Sequence, residues 1–154
     1  MKKLNIIFVV FASIFLFIFT KPSYASNSVS TYLCSKTQNI NARNGPSTQF
    51  AIIYKISKIG YPFKVIEKVD HWFAVEDFKQ DKMWISASNL TSKCGKIIKL
   101  NNKAKVFSSP HVNSNTIFFL EEGYIIRDIK CYKVWCNLKI KGQSGWIVKS
   151  ELWN

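Results

Sequence analysis

Two hydrophobic patterns divide the chain. Behind Met1, Lys2 and Lys3 runs an uncharged, mostly apolar stretch from Leu4 to Thr20, whereas after Ser26 the apolar residues fall into short runs rich in Ile, Val, Phe, Tyr and Trp. Those runs are broken by turn formers such as Asn44-Gly45-Pro46-Ser47, Gly60-Tyr61-Pro62, Ser108-Ser109-Pro110 and Gly142-Gln143-Ser144-Gly145. Such punctuation predicts strands and turns. No stretch after Ser26 keeps an apolar 3.6-residue period long enough for a helix, so the fold class expected is all-β. The clearest strand runs from Cys136 to Ile140, where Cys136, Leu138 and Ile140 alternate with Asn137 and Lys139. Period-two alternation places Phe73, Val75, Cys136, Leu138 and Ile140 on a buried face and Trp72 and Trp135 on the polar one.

The second half of the chain repeats the first. Pro46 matches Pro110 at an offset of 64, Gly60, Tyr61 and Trp72 match Gly123, Tyr124 and Trp135 at 63, and Trp84, Ile85 and Leu90 match Trp146, Ile147 and Leu152 at 62. A nearly constant offset over so many landmarks marks a tandem duplication. The organisation expected is a leader over 1–25, one unit over 26–96 and a second over 97–154.

The leader follows from the order of its parts: basic start, apolar run, then Lys21-Pro22-Ser23-Tyr24-Ala25-Ser26 with small residues at Ser23 and Ala25. That is a secretory signal cleaved after Ala25, which sends the chain to the periplasm or outside the cell. The apolar run falls short of the roughly 20 residues that span a bilayer, and no second run approaches that length, so no permanent transmembrane helix is expected after cleavage. The full chain has 22 basic and 9 acidic residues, and loss of Lys2, Lys3 and Lys21 lowers its net charge from +13 to +10. Such a charge draws anionic partners. Only Arg43 and Arg127 of the basic residues are arginine, the side chain best suited to reading bases, so nucleic acid is not among the expected partners.

Four cysteines, Cys34, Cys94, Cys131 and Cys136, remain in the exported part, an even number that points to disulfides with three possible connectivities. A unit of about 60 residues buries only about 60% of its unfolded surface and needs reinforcement. Cys34 precedes the strands of the first copy and Cys94 follows them, so a bond between the two closes that copy into one loop. Cys131 and Cys136 face each other if Lys133-Val134 is a two-residue turn. Val134 is a poor residue for a primed turn. With only His71 and His111 as histidines and no CxxC pair, neither a metal nor a cofactor is expected.

The string Ile40-Asn41-Ala42-Arg43-Asn44-Gly45-Pro46-Ser47-Thr48, followed by Gly60, Trp72-Phe73-Ala74-Val75 and Trp84-Ile85, resembles a bacterial SH3-like (SH3b) domain. Val106 to Pro110, Gly123, Cys131 to Cys136 and Gly145-Trp146-Ile147 resemble its partner in a two-domain exported family. The resemblance spans residues from about 32 to 154 and implies two small five- or six-stranded barrels, in a family whose members commonly bind cell-wall peptidoglycan or its peptides. Met83 departs from it, standing where such domains usually carry glycine. In the second copy Phe107-Ser108-Ser109-Pro110 replaces the Arg-x-Gly-Pro string.

Residues for catalysis are hard to find. Each cysteine is expected to have an oxidised partner, Glu121 and Glu122 point to opposite faces if they lie in a strand, and Asp77 and Asp81 read as a solvated hairpin tip. No enzyme activity is therefore expected. The candidate ligand surface is Trp72 and Trp135 together with Arg43, Asn44 and Phe50 of the Gly-Pro loop, with Arg43 holding a carboxylate against an aromatic wall. Tyr61, Tyr124, Trp84 and Trp146 read as packing. The function expected is a non-enzymatic envelope module that binds peptidoglycan or its peptides; the alternative is a protein-protein interaction adaptor that docks an envelope protein and touches no wall polymer.

Overall fold

The structure is a computed structural model that describes residues 31–99 and 103–154. The expected leader lies outside them. The described chain is all-β, as its strand-and-turn punctuation required. In the first copy the strands are β1 (Tyr32–Ser35), β2 (Ile40–Arg43), β3 (Ile52–Ile56), β4 (Pro62–Val69), β5 (Trp72–Glu76), β6 (Lys82–Ser86) and β7 (Leu90–Thr91), with a single 3-10 turn at Ala87–Asn89. The second copy repeats them as β8 (Lys96–Ile98), β9 (Ala104–Phe107), β10 (Thr116–Leu120), β11 (Ile125–Ile126), β12 (Ile129–Tyr132), β13 (Trp135–Ile140), β14 (Gln143–Val148) and β15 (Leu152–Trp153), with the 3-10 turn at Lys149–Glu151.

The duplication reaches down to single hydrogen bonds. Ser35 N donates to Tyr61 O at 3.0 Å and Ile98 N to Tyr124 O at 3.1 Å; Ala87 N donates to His71 O and Lys149 N to Val134 O, both at 2.8 Å. The Gly-Pro loop and its counterpart close alike, through Asn44 N to Ala51 O and Ser108 N to Asn115 O. The expected division between residues 96 and 97 falls inside β8, which pairs with β11 and β15 of the second copy.

The sheets differ. In the first copy seven strands form one sheet in the order β3-β2-β6-β5-β4-β1-β7, because the eight residues of β4 run unbroken from β1 to β5. In the second copy the equivalent strand is split into β11 and β12 around Arg127 and Asp128, leaving a sheet β10-β9-β14-β13-β12 and a smaller one β11-β8-β15. Neither ladder closes on itself, so the barrels implied by the resemblance are open sheets wrapped around a core rather than hydrogen-bonded rings.

Each copy has its own core. Ile40, Ala42, Phe63, Val75, Met83, Ile85 and Leu90 fill the first, and residues including Ile98, Val106, Ile126, Cys136, Leu138 and Ile147 fill the second. Phe73 and Ile140 pack against these cores from partly buried positions, and the small Ala74 is buried as well. The two cores fill one shared corner in opposite ways. Met83 aligns with Gly145, and Ala42 with Val106. A Cβ on Gly145 would collide with the Val106 side chain, whereas the first copy sets the small Ala42 in the same core as the long Met83.

Of the three connectivities open to the cysteines, the structure has Cys34 bonded to Cys94 and Cys131 bonded to Cys136. The second bond crosses a two-residue hairpin in which Tyr132 pairs with Trp135 and the cysteines come next, with Cα atoms 3.9 Å apart. Only Lys133 of that turn takes a positive φ, at 49°, so the β-branched Val134 is spared the conformation it disfavours. Asp70 occupies the same place in the first copy at 48°.

Candidate functional site

A groove of about 350 Å³ opens in the first copy between the C-terminal half of β3, the segment that leads into β4, and the β5–β6 hairpin. Tyr54, Lys55 and Ile56 supply one wall, Ser57 and Lys58 an end, and Tyr61, Asp77, Lys79, Asp81 and Met83 the rest. Tyr54 is brought there by the edge position of β3, which leaves the ring open to solvent.

Two loops give this groove its polar groups. The ladder between β5 and β6 stops at Glu76 with Lys82, and the five residues 77–81 make the tip. Asp77 organises it: its Oδ1 accepts from the backbone N–H groups of Lys79 at 2.8 Å and Asp81 at 3.0 Å, and Gln80 takes a φ of 69°. The remaining oxygen, Oδ2, accepts from the Tyr61 hydroxyl at 3.0 Å. Asp77 is 8% exposed, so the reading of this pair as a solvated tip fails for Asp77 and holds for Asp81 alone. A carboxylate is buried here because three donors converge on it.

Tyr61 is held from below by Phe63 and Phe78, at ring-centroid distances of 5.1 and 6.2 Å. Burial, followed by the charge of Asp77 and their hydrogen bond, pushes its hydroxyl far above the usual tyrosine range. The group therefore stays a donor at any physiological pH. The segment before it is fixed by the fully buried Ser35, whose Oγ donates to Lys58 O at 2.5 Å and accepts from Tyr61 N at 2.8 Å. Lys55 lines the groove as well, and two further cations beside it have partners of their own. Lys58 Nζ donates to Gly123 O at 2.9 Å, and Lys79 Nζ sits 5.7 Å above the Phe78 ring. Asp77 and Asp81 give the hairpin end of the groove its carboxylates, with Lys79 between them in the chain.

The second copy has a groove in the same place, about 320 Å³, lined by Phe118, Leu120, Tyr124, Ile140 and Gln143 among others. Phe118 stands for Tyr54, Ile140 for Asp77 and Gln143 for Asp81. This copy pairs Ile140 with Gln143 and turns through Lys141-Gly142, with φ of 48° and 86° at the two positions. Here the equivalent cavity carries no carboxylate.

The residues expected to bind ligand are dispersed. Arg43 Nη1 donates to Phe50 O at 2.6 Å, and the Phe50 ring lies against Gly45 where a Cβ would otherwise be, so Arg43 and Phe50 brace the Gly-Pro loop. Asn44 is exposed and lines a separate outer depression with Ile66, Glu67 and Trp84. Trp72 and Trp135 begin β5 and β13, each in a different sheet, both partly buried. Trp135 stands edge-on to Phe107 at 5.7 Å. Tyr61, read from sequence as packing, is instead both packing and groove wall, and Asp77 and Asp81 were passed over. A signal for them existed: the repeat offset drops by one residue between Trp72 and Trp84, where the first copy has the longer hairpin. A second drop falls between Pro46 and Gly60, where Ser57-Lys58-Ile59-Gly60 matches Glu121-Glu122-Gly123.

All four cysteines are bonded, and among the described residues no group of three or more His, Cys, Asp or Glu is placed to hold a metal. Among the same residues no helix is long and apolar enough to cross a membrane.

Comparison with known proteins bears on both copies. A family model described as "Bacterial SH3 domain" matches it twice, over residues 36–92 and 101–154. Over 62 residues the chain is 40% identical to the probable cell wall amidase LytH of Staphylococcus aureus, a stretch that covers 40% of this chain and 21% of that protein. The same figures hold for that protein in strain USA300. The chain thus spans about a fifth of the length of these curated relatives. Among solved structures, NlpC2 and NlpC1 from Trichomonas vaginalis superpose with a TM-score of 0.35 and 16% identity, over 84% of this chain and 49% and 48% of theirs.

Proposed function

The chain belongs to the bacterial SH3 domain family, which it matches with two tandem domains, and from that premise we propose that it is an exported, non-enzymatic module that binds cell-wall peptidoglycan through its peptides. The first copy is the binding copy. One observation carries this reading: two grooves of nearly equal volume occupy the same place in the two copies, and only the first combines open aromatic walls at Tyr54 and Tyr61 with the carboxylates of Asp77 and Asp81. Wall peptides are extended, polar and bear free amines; tyrosine faces hold such a chain, and the acidic end of the groove pairs with its ammonium group. Similarity to a protein named as a cell wall amidase supports the wall as the setting, with this chain matching a fifth of it and none of the catalysis transferred. Two bonded cysteine pairs suit an oxidising compartment, which agrees with export.

The test is cosedimentation of the purified protein with isolated sacculi at low and high salt. Retention is expected to weaken at high salt without vanishing, because salt screens the exposed Asp81 contact and leaves the tyrosine faces. Asp81→Asn with Tyr61→Phe should release the protein while its thermal unfolding stays cooperative; undiminished retention of that variant would overturn the assignment of this groove.

A second reading has its own support. Strand β3 is an edge strand and exposes Ile52, Ile53 and Tyr54, a surface open to pairing with a strand of an envelope protein. Recovery of one partner in equal amount, lost in Ile53→Lys and unaccompanied by sacculus retention, would favour that adaptor role.

A further inference from the structure

Resting on the wall-peptide reading, we propose that the seam between the two copies is a second subsite of the same groove, one that takes the free carboxylate of the bound peptide between Lys58 and Arg127. A cleft of about 460 Å³ lies there, lined by Gln38, Ser57 and Lys58 of the first copy and Tyr124 and Arg127 of the second. Ser57 and Lys58 line the first groove as well, so the two cavities adjoin. The groove also holds Lys55 and Lys79, so the two cavities differ in their carboxylates. The groove has Asp77 and Asp81 at the hairpin, whereas the seam has two cations and no carboxylate in its lining.

Both cations are placed by the fold. Lys58 is held by its hydrogen bond across the seam to Gly123 O, which leaves two ammonium protons for a ligand. Arg127 lies over Gly60, where φ is 77°; a Cβ at that glycine would sit 3.5 Å from Arg127 Cδ. The arginine stem therefore packs on this loop, and Arg127 lines the cleft. Among the described residues the one ion pair joins Lys103 to Glu121, so the charge of Arg127 is not met by an acid. Arginine presents a fork that matches a carboxylate, and this is one of two arginines in a chain that otherwise uses lysine.

The seam is also braced. Gly95 N donates to Gly60 O at 3.0 Å, and the neighbouring Cys94 is bonded to Cys34 in the first core. Cations held in advance lose little freedom when a ligand arrives. A peptide with an amine at one end and a carboxylate at the other therefore fits in a single direction, and both copies are needed to read it.

The experiment uses calorimetric titration of the whole protein with a synthetic wall stem peptide bearing a lysine amine and a free C-terminal carboxylate, against the same peptide as its C-terminal amide. The acid should bind about tenfold more tightly than the amide, the size of one charge-assisted hydrogen bond. Arg127→Gln should cost the acid about that factor and leave the amide unchanged. Equal binding of acid and amide to the unaltered protein, or an equal loss for both in Arg127→Gln, would overturn the seam subsite while the groove stands. If neither peptide perturbs Tyr61 or Asp81 resonances in a labelled sample, the groove assignment falls, and the seam with it.

Discussion

The two copies share a frame and differ in what the frame carries. Matching backbone bonds from Ser35 and Ile98 show that the skeleton of the duplication has survived. Their side chains part company: Ser35 anchors a loop with its hydroxyl where Ile98 joins the core, and Asp77 organises a hairpin where Ile140 packs. The groove of one copy carries carboxylates and that of the other does not. Relative to the second copy, the first has one extra residue in each of two loops, and both loops wall the groove. A duplicated sheet tolerates this because ladder registers are strongly specified while loop tips are not.

The sharpest contrast is in reinforcement. The Cys34–Cys94 bond spans 60 residues and ties β1 to the exit of the first copy, whereas Cys131–Cys136 spans 5 and staples one hairpin. Chain-entropy reasoning gives about 4 kcal/mol for the first and about 2 kcal/mol for the second. Cys34→Ser with Cys94→Ser should therefore lower the denaturant midpoint about twice as much as Cys131→Ser with Cys136→Ser. Equal losses would erase the distinction.

Next in size is the shared core corner. Met83→Ala should cost about 3 kcal/mol by leaving a cavity, and Gly145→Ala about 1 to 3 kcal/mol by driving a Cβ into Val106. Adding Ala42→Val to Met83→Ala, which approaches the second copy's solution, should recover part of the loss. Strict additivity of the two changes would deny that these positions compensate.

Binding comes third. Asp81→Asn alone should reduce sacculus retention by about tenfold, the equivalent of one charge-assisted contact. Gln143→Ala, at the same place in the second groove, should leave retention as it was. If both variants lose binding alike, the two copies bind together and the contrast between them dissolves.

The smallest effect concerns Glu151, which stands where the first copy has Asn89. Burial raises its carboxyl above the ordinary glutamate value, with Lys105 opposing in part, and its Oε2 is buried without a hydrogen-bond partner. A carboxyl whose folded-state value is raised binds its proton more readily when folded. Stability is therefore lost as pH rises through the window from the unfolded value up to the raised one, and stays lost above it. Glu151→Gln should raise the melting temperature slightly at neutral pH and not at acid pH; a larger gain in acid would reverse this sign.

Much of the fold was readable along the chain because it rests on local regularities. Alternation placed Cys136 and Leu138 inside, since successive strand residues point to opposite faces, and a steady offset revealed the duplication. The candidate site was less readable. Nothing linear announces that Arg43 will donate to Phe50 O, or that Tyr61, 16 residues before Asp77, will reach its carboxylate. Strand periodicity, turn chemistry and cysteine number were thus settled by the sequence itself, being properties of neighbours. Which loop closes over which ring, whether the ladders close, and how Lys58 comes to face Arg127 across a seam were decided only when distant segments packed, because those encounters depend on three-dimensional distance that no local pattern records.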